Sequence, residues 1–175
     1  MSYALQVLRT YGASISKSRA LEQGSLEILR LNDANLQEPS ESVVRSFQFH
    51  PSAQLLLTAG FDKKLRLFQI DGKKNPKVQS VYLLVTPIHT AAFVDSGNMV
   101  LCSGRRKHVY LYDLHSSKVE RVSLKVRQEK SLENFIASND GSLAAFFGNE
   151  GHILLFNMKS RQFIRTLKMN GSLRR

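Results

Sequence analysis

Apolar and polar residues along this chain form short strand-like runs that recur at a fixed interval of 44 residues. Residues 49–70 align without a gap on 93–114, and again on 137–158. Before each aligned apolar run lies a turn sequence: "HPSAQ", "VDSGN" and "SNDGS". Because turn residues between β-branched and aromatic runs are typical of strands, and a gapless period indicates a repeat architecture, the pattern predicts a series of equivalent β units.

Each unit is predicted to contain four short strands. In the first unit the first three strands cover roughly 43–49, 54–59 and 64–70. A fourth strand-like run follows in each unit, at 77–83, 118–124 and 161–167. Four short strands per 44 residues, with turn chemistry between them, are typical of a propeller blade.

The third strand of the first unit has apolar residues on both of its faces. Leu65 and Leu67 lie on one side, and Phe68 and Ile70 lie on the other. Burial on both faces is what stacked blades impose, whereas a half-buried strand alternates. A β-sandwich is the alternative all-β fold, but it gives no reason for a gapless repeat.

We therefore predict an all-β fold, a partial WD-repeat β-propeller of about three four-stranded blades plus one extra strand. The chain has no Trp. The Trp-Asp pair that gives a WD repeat its name is therefore replaced by Phe68-Gln69, Tyr112-Asp113 and Phe156-Asn157. The positions predicted to carry the repeat structurally are turn glycines, turn acids and third-strand aromatic residues: Gly60, Asp62, Phe68, Gly104, Tyr112, Asp113, Gly148 and Phe156. Glycine in the turn column allows either a positive φ or a close backbone approach.

The predicted organisation has six segments. They are a leader of uncertain order (1–22), a lone strand at 24–31 with its linker (23–42), three blades (43–86, 87–130 and 131–171) and a tail (172–175). Three blades do not close a ring, because propellers usually have four to eight. The chain therefore resembles part of a longer propeller. Alone, it is expected to be marginally stable or to associate through exposed blade faces.

The first twenty residues contain no acidic side chain and carry Arg9, Lys17 and Arg19 among small and hydroxylated residues. This composition resembles a mitochondrial presequence. The alternative is a disordered leader, or a start cut from a longer protein, and this alternative is favoured here.

The charge of the chain is strongly basic, with 25 Lys and Arg against 14 Asp and Glu. Such a protein is attracted to polyanions through a long-range field that salt weakens. The candidate contacts to RNA or to an acidic partner are basic residues in exposed turns: Lys63, Lys64, Arg105, Arg106 and Lys107. A solvated turn is the alternative for each of them.

Catalytic and cofactor signals are weak. The five histidines are scattered, and the single Cys102 belongs to no cluster with zinc spacing. Neither a nucleophile elbow nor a P-loop is present. We expect no enzyme activity, no cofactor or metal and no small-molecule substrate. The chain also has no run of roughly 20 apolar residues, so no membrane association is expected.

The most specific stretches are "GSLEILRLNDAN" and "FHPSAQLLLTAGFDKKLRLFQIDGKKNPKVQS". Over residues 24–171 the chain resembles the WD-repeat subunit of the small-subunit processome, the family of U-three small-nucleolar-RNA-associated protein eighteen. The resemblance implies a non-catalytic nucleolar scaffold that docks with other propeller subunits. It further implies a particle that contains pre-rRNA and box C/D small nucleolar RNA and that supports 18S rRNA maturation.

A second functional class also fits a WD-type propeller. A generic interaction adaptor, for example a substrate-holding subunit of a ubiquitin ligase, would have the same fold. The basic charge and the stretch "FDKKLRLFQIDGKKNPK" favour the ribosome-assembly class.

Overall fold

The structure is a computed structural model that describes residues 30–84, 86–124 and 131–171, together with Gly24, Ile28 and Glu129. The described residues form twelve strands in three four-stranded antiparallel sheets. The strands are β1 (Val44–Phe49), β2 (Leu55–Gly60), β3 (Lys64–Gln69), β4 (Lys77–Tyr82), β5 (Thr90–Val94), β6 (Met99–Ser103), β7 (His108–Asp113), β8 (Lys118–Ser123), β9 (Phe135–Ala137), β10 (Leu143–Phe147), β11 (His152–Asn157) and β12 (Gln162–Lys168).

Each sheet is an antiparallel meander in which consecutive strands are neighbours. The orders are β1-β2-β3-β4, β5-β6-β7-β8 and β9-β10-β11-β12. We call these sheets blade 1, blade 2 and blade 3. The strands predicted for the first unit differ from β1, β2 and β3 by at most one residue at either end. The prediction of a partial propeller of four-stranded blades is confirmed.

The blades stack so that their first strands, β1, β5 and β9, lie side by side. Two hydrophobic cores fill the spaces between neighbouring blades. The core between blades 1 and 2 contains Leu57, Leu67, Phe93, Cys102 and Tyr112 among others. The core between blades 2 and 3 includes Leu101, Leu111, Phe146 and Phe156. The stability of each blade therefore depends on its neighbour.

The third strand of blade 1 is buried on both faces. Leu65 and Leu67 are each 1% exposed, and Phe68, on the opposite face, is 0% exposed. We call the face of each blade that points toward the next blade in the sequence its forward face, and the opposite face its rear face. Leu65 and Leu67 lie on the forward face of blade 1, and Phe68 lies on its rear face.

Some of the predicted segments lie outside the described residues. These are the leader, most of the lone strand at 24–31 and the tail at 172–175. The described residues of the lone strand, among them Arg30 and Leu31, are not in a strand.

Candidate interaction surfaces

The turn between the second and third strands of each blade has a glycine that a linker approaches closely. A Cβ atom at Gly60 would lie 2.3 Å from the Val43 carbonyl oxygen, and one at Gly104 would lie 2.6 Å from the Pro87 carbonyl oxygen. At Gly148 the nearest atom would be Glu129 Oε1, at 2.5 Å. None of the three glycines has a left-handed φ. The glycine column therefore makes room for the chain that enters the blade.

The predicted basic residues occupy these same turns, in two different settings. In blade 1 the Lys64 ammonium lies 3.0 Å from Glu41 Oε1, and its backbone N–H donates to Asp62 Oδ1. Lys63 is half-buried, with φ of 62°. In blade 2 the residues Arg105, Arg106 and Lys107 are all exposed.

Only one of the three exposed cations of blade 2 has an ion-pair partner within the described ranges. Arg105 Nε lies 3.5 Å from Glu133 Oε1. Arg106 and Lys107 lie beyond ion-pair distance of every described carboxylate. The turn of blade 2 therefore presents more uncompensated positive charge than the turn of blade 1.

The rim that carries these turns has a second pattern that repeats from blade to blade. Residues Arg45, His89 and Glu133 stand 44 positions apart. His89 packs against the Phe61 ring of the preceding turn in a tilted arrangement, with centroids 4.9 Å apart. Glu133 pairs with Arg105 of the preceding turn. Burial lowers the pKa of His89, although the Glu133 charge acts in the opposite direction. This rim joins the blades through specific side-chain contacts.

A buried arginine on the rear face of blade 1 was not predicted from the sequence. Arg66 is 0% exposed. Its guanidinium lies 2.7 Å from Asp62 Oδ2 and donates through Nε to Glu38 Oε1 at 2.9 Å. The sequence feature that could have predicted this buried ion pair is a cation in the middle of a doubly buried strand. The other blades have Tyr110 and Leu154 at the same repeat position. A buried charge needs a paired carboxylate.

Glu38 belongs to the linker that precedes blade 1, and this linker crosses the blade's rear face. Lys77 Nζ donates to Glu38 Oε2 at 2.6 Å. Gln37 Oε1 accepts from the Lys77 backbone N–H, and Asn32 Nδ2 donates to the Lys73 carbonyl oxygen. The hydrogen bonds from Lys77 and Arg66 lower the pKa of Glu38 against the opposing effect of burial. Residues 32–41 thus cover part of a face that in blades 2 and 3 packs on the preceding blade.

The acid position of the WD pattern keeps its local role in two blades. Asp113 Oδ1 accepts from the backbone N–H groups of His115 and Ser116. Asn157 Oδ1 accepts in the same way from Lys159 and Ser160. Although partial burial raises the pKa of Asp113, its hydrogen bonds with Ser116 and His115 leave it below its ordinary value. An amide can replace the carboxylate here because the turn requires only an acceptor.

Blade 1 makes the corresponding turn with a different residue. Gln69 stands at the acid position, and Asp71 Oδ1 accepts from the backbone N–H groups of Lys73, Lys74 and Asn75. These backbone hydrogen bonds lower the pKa of Asp71, the one from Asn75 most. The acceptor has moved two positions, so the substitution of Gln for Asp leaves the turn intact.

The turns at the opposite rim connect blades 1 and 2 through His50. Its Nδ1 accepts from the Ser52 backbone N–H at 3.1 Å, which places the proton on Nε2, and Nε2 then donates to the Gly97 carbonyl oxygen at 3.1 Å. Burial lowers the pKa of His50. The neutral imidazole is hydrogen-bonded at both nitrogens and packs between the two blades. A structural role therefore explains its position.

Neither a metal site nor a membrane-spanning helix is found in the part of the chain that the structure describes. No group of three or more His, Cys, Asp or Glu side chains in this part of the chain is arranged to hold a metal ion. No helix within the described ranges is long and apolar enough to cross a membrane. Cys102 is buried between blades, and burial raises its pKa to about 12.

The sequence of this chain is similar to those of curated proteins that share one name. No family model matches the chain. It is 50% identical over 171 residues to the U3 small nucleolar RNA-associated protein 18 homolog of Arabidopsis thaliana, a match that covers 96% of this chain and 31% of the relative. It is 42% identical to the probable U3 small nucleolar RNA-associated protein 18 of Schizosaccharomyces pombe, over 89% of this chain and 31% of that protein. For the human homolog the identity is 38%, over 94% of this chain and 30% of the relative.

By its fold the chain is a set of three stacked propeller blades that offers turns and faces for interaction. By its sequence it belongs to the family of U3 small nucleolar RNA-associated protein 18. It spans about a third of the length of the curated relatives that it matches. The resemblance noted for residues 24–171 is confirmed.

Proposed function

We propose that this chain is a non-catalytic scaffold in ribosome biogenesis that acts in a small-subunit processome. The observation that carries the proposal is the 50% identity to the Arabidopsis relative over 96% of the chain, a length that includes all three blades. The names of the relatives describe association with U3 small nucleolar RNA. A propeller contributes binding surfaces rather than catalytic groups to such a particle.

The finer parts of the proposal concern partners and location. The chain docks with other propeller subunits in a nucleolar particle that contains pre-rRNA and box C/D small nucleolar RNA, and it supports 18S rRNA maturation without a cofactor. The blade 2 turn at Arg105, Arg106 and Lys107 is the proposed contact for RNA or an acidic partner, with Lys63 and Lys64 of blade 1 beside it. Exposed cations reach phosphates without a desolvation cost.

The test is recovery of U3 RNA with the tagged chain expressed in Arabidopsis cells, measured against a spliceosomal RNA as background. Replacing Arg105, Arg106 and Lys107 together by Gln should lower U3 recovery several-fold, because each lost cation weakens phosphate binding. It should lower thermal stability only slightly, because Arg105 is 73% exposed in its pair with Glu133 and an exposed ion pair contributes little. The matched control replaces three exposed lysines at the opposite rim, Lys73, Lys74 and Lys159, by Gln. Equal recovery from the two triple variants would show that the blade 2 turn is only solvated.

The second candidate, a generic interaction adaptor, is distinguished by location. A fluorescent fusion of the chain should concentrate in the nucleolus if it acts in ribosome assembly. A diffuse cytoplasmic signal, together with U3 recovery at background, would favour the adaptor and reject the proposal.

A further inference from the structure

The outer strand of blade 3, β12, has a free edge within the described part of the chain. It is the last strand of its sheet, and all 7 of its residues are exposed. The Met169 backbone N–H donates to the Gly151 carbonyl oxygen. Because hydrogen-bonded and non-hydrogen-bonded pairs alternate along an antiparallel ladder, the pairs that Thr166 and Lys168 make with β11 are of the non-hydrogen-bonded kind. The backbone N–H and C=O groups of these two residues therefore point away from β11, toward the free edge.

The side chains of β12 combine apolar groups with positive charge. Three apolar side chains are each more than a third exposed: Phe163, Ile164 and Leu167. Arg165 and Lys168 are exposed too, and both lie beyond ion-pair distance of every described carboxylate. Residues 151–171 contain no Asp or Glu. An exposed edge of this kind is a template for a further strand, and a strand with acidic and apolar side chains would complement it.

The outer strands of the other two blades are less open to such an addition. At β4 the linker before blade 1 occupies part of the edge, since Gln37 Oε1 accepts from the Lys77 backbone N–H. At β8 the strand carries an acid of its own, Glu120, which is paired with Arg161 of blade 3. In β12, outward backbone groups, exposed apolar side chains and charge of one sign occur together.

We propose that the free edge of β12 binds an extended acidic segment of a partner protein, which adds to blade 3 as a further strand. The outward backbone groups of Thr166 and Lys168 pair with the added strand. Arg165 and Lys168 contact its carboxylates, and its apolar side chains pack beside Phe163. In strand addition, main-chain hydrogen bonds supply affinity and side-chain contacts supply specificity. The inference concerns the outer edge of one blade and does not rest on the proposed function.

A second copy of this chain is a poor occupant of the edge. Two paired β12 edges would bring together Arg165 and Lys168 of both copies, and like charges opposite each other across a ladder are destabilising. RNA is also a poor occupant, because it supplies negative charge but no peptide backbone for the outward groups of Thr166. An extended acidic peptide is favoured because it matches both the charge and the backbone groups.

The first arm of the test uses a fluorescent heptapeptide in which Glu and Val alternate, with binding to the 175-residue chain followed by anisotropy. Thr166→Pro removes an outward N–H and spares the β11–β12 ladder, a position where an edge strand tolerates proline. Tyr82→Pro is the matched control in β4. The Leu83 N–H donates to the Lys63 carbonyl oxygen, so Tyr82 has the same outward orientation.

Thr166→Pro should weaken peptide binding by about tenfold or more, because it blocks the added ladder, and Tyr82→Pro should alter it by less than about twofold. Equal affinities of the Thr166→Pro variant and the unsubstituted chain would overturn the proposal. So would the absence of saturable peptide binding to the unsubstituted chain.

A second measurement requires no substitution. In the unsubstituted chain, bound peptide should slow the amide hydrogen exchange of Thr166 and Lys168, measured by NMR, by about tenfold or more, because the new ladder protects these groups. Unchanged exchange of both amides at saturating peptide would contradict strand addition, whatever the stability of the proline variant.

The second arm tests the charge. Lys168→Glu should weaken peptide binding by about tenfold or more, because it places like charges together at the contact. Lys118→Glu makes the same charge change at the exposed start of β8 and should alter binding by less than about twofold. Equal effects of the two substitutions would show that only the net charge matters, and would reject β12 as the site.

The other occupants have their own signatures. Heptauridylate that binds more tightly than the peptide, with an affinity unaffected by Thr166→Pro, would assign the cations of β12 to phosphate and overturn the proposal. A dimer of the unsubstituted chain in sedimentation that Thr166→Pro dissociates would overturn it as well, since a second copy would then occupy the edge.

Discussion

Single residues at the turns decide how closely neighbouring blades approach. Gly97 has φ of +94°, and a Cβ atom there would lie 2.2 Å from His50 Nε2 of blade 1. The position therefore combines a backbone conformation that favours glycine with an inter-blade contact that has no room for a methyl group. Gly171 has φ of +110° and nothing within 4 Å of its Cβ position, so it isolates the backbone effect from the contact.

Gly97→Ala should lower the free energy of unfolding by about 2–4 kcal/mol, the sum of strain at positive φ and overpacking. Gly171→Ala should cost about 1 kcal/mol from backbone strain alone. Denaturant unfolding followed by circular dichroism measures both. Equal losses for the two variants would mean that the His50 contact does not limit how closely the blades pack.

At the scale of the element, the linker before blade 1 is held more by one of its two glutamates than by the other. Glu38 has 22% of its side chain exposed and contacts Arg66, Lys77 and Lys64. Glu41 is 74% exposed and, among the described cations, contacts only Lys64. Without the Glu38 charge, buried Arg66 would keep only Asp62 as an ion-pair partner among the described residues, and losing one partner of a buried charge is costly. An exposed ion pair contributes little.

Glu38→Gln should therefore lower the free energy of unfolding by about 1–3 kcal/mol and increase hydrogen exchange in residues 32–41. Glu41→Gln should change the free energy of unfolding by less than about 0.5 kcal/mol. Hydrogen exchange measured by mass spectrometry on both variants shows whether residues 32–41 remain protected. If Glu41→Gln loosened the linker as much as Glu38→Gln, the contact with Arg66 would not be what holds it.

The strands could be predicted from the sequence because the blades repeat. Leu67, Leu111 and Leu155 stand 44 positions apart, so three independent copies report the same strand. The link between Arg66 and Glu38 could not be predicted in this way. The equivalent positions of the other units, 82 with 110 and 126 with 154, hold neither an acid nor an arginine. The sequence feature that hinted at the link is the presence of a cation in a buried strand.

For the basic turns of blades 1 and 2, the sequence predicted which residue types are present but not which charges are paired. The sequence indicated that Lys64 and Arg106 lie in corresponding turns. It did not indicate that Lys64 pairs with Glu41 and Glu38, whereas Arg106 pairs with no described carboxylate. Such pairings depend on which linker passes over each turn, and the linker before blade 1 has its own length and charge. Periodicity predicts the shared geometry of the turns and leaves their individual partners undetermined.

At the scale of the whole molecule, stability is shared between blades, and the three copies of one position make this measurable. Leu67 and Leu111 are 1% and 2% exposed in the cores between blades, whereas Leu155, in the same column, lies on the uncovered forward face of blade 3 and is only half-buried.

Leu111→Asp should unfold the chain or cost about 3 kcal/mol or more, because it places a charge without a partner inside a packed core. Leu67→Asp should do the same between blades 1 and 2. Leu155→Asp should cost much less, since its carboxylate can reach water. Thermal unfolding of the three variants, followed by circular dichroism and compared with the unsubstituted chain, measures the difference. A Leu111→Asp variant that folds normally would contradict the assignment of β7 as a doubly buried strand. A Leu155→Asp variant as unstable as Leu111→Asp would show that the forward face of blade 3 is already covered in the isolated chain.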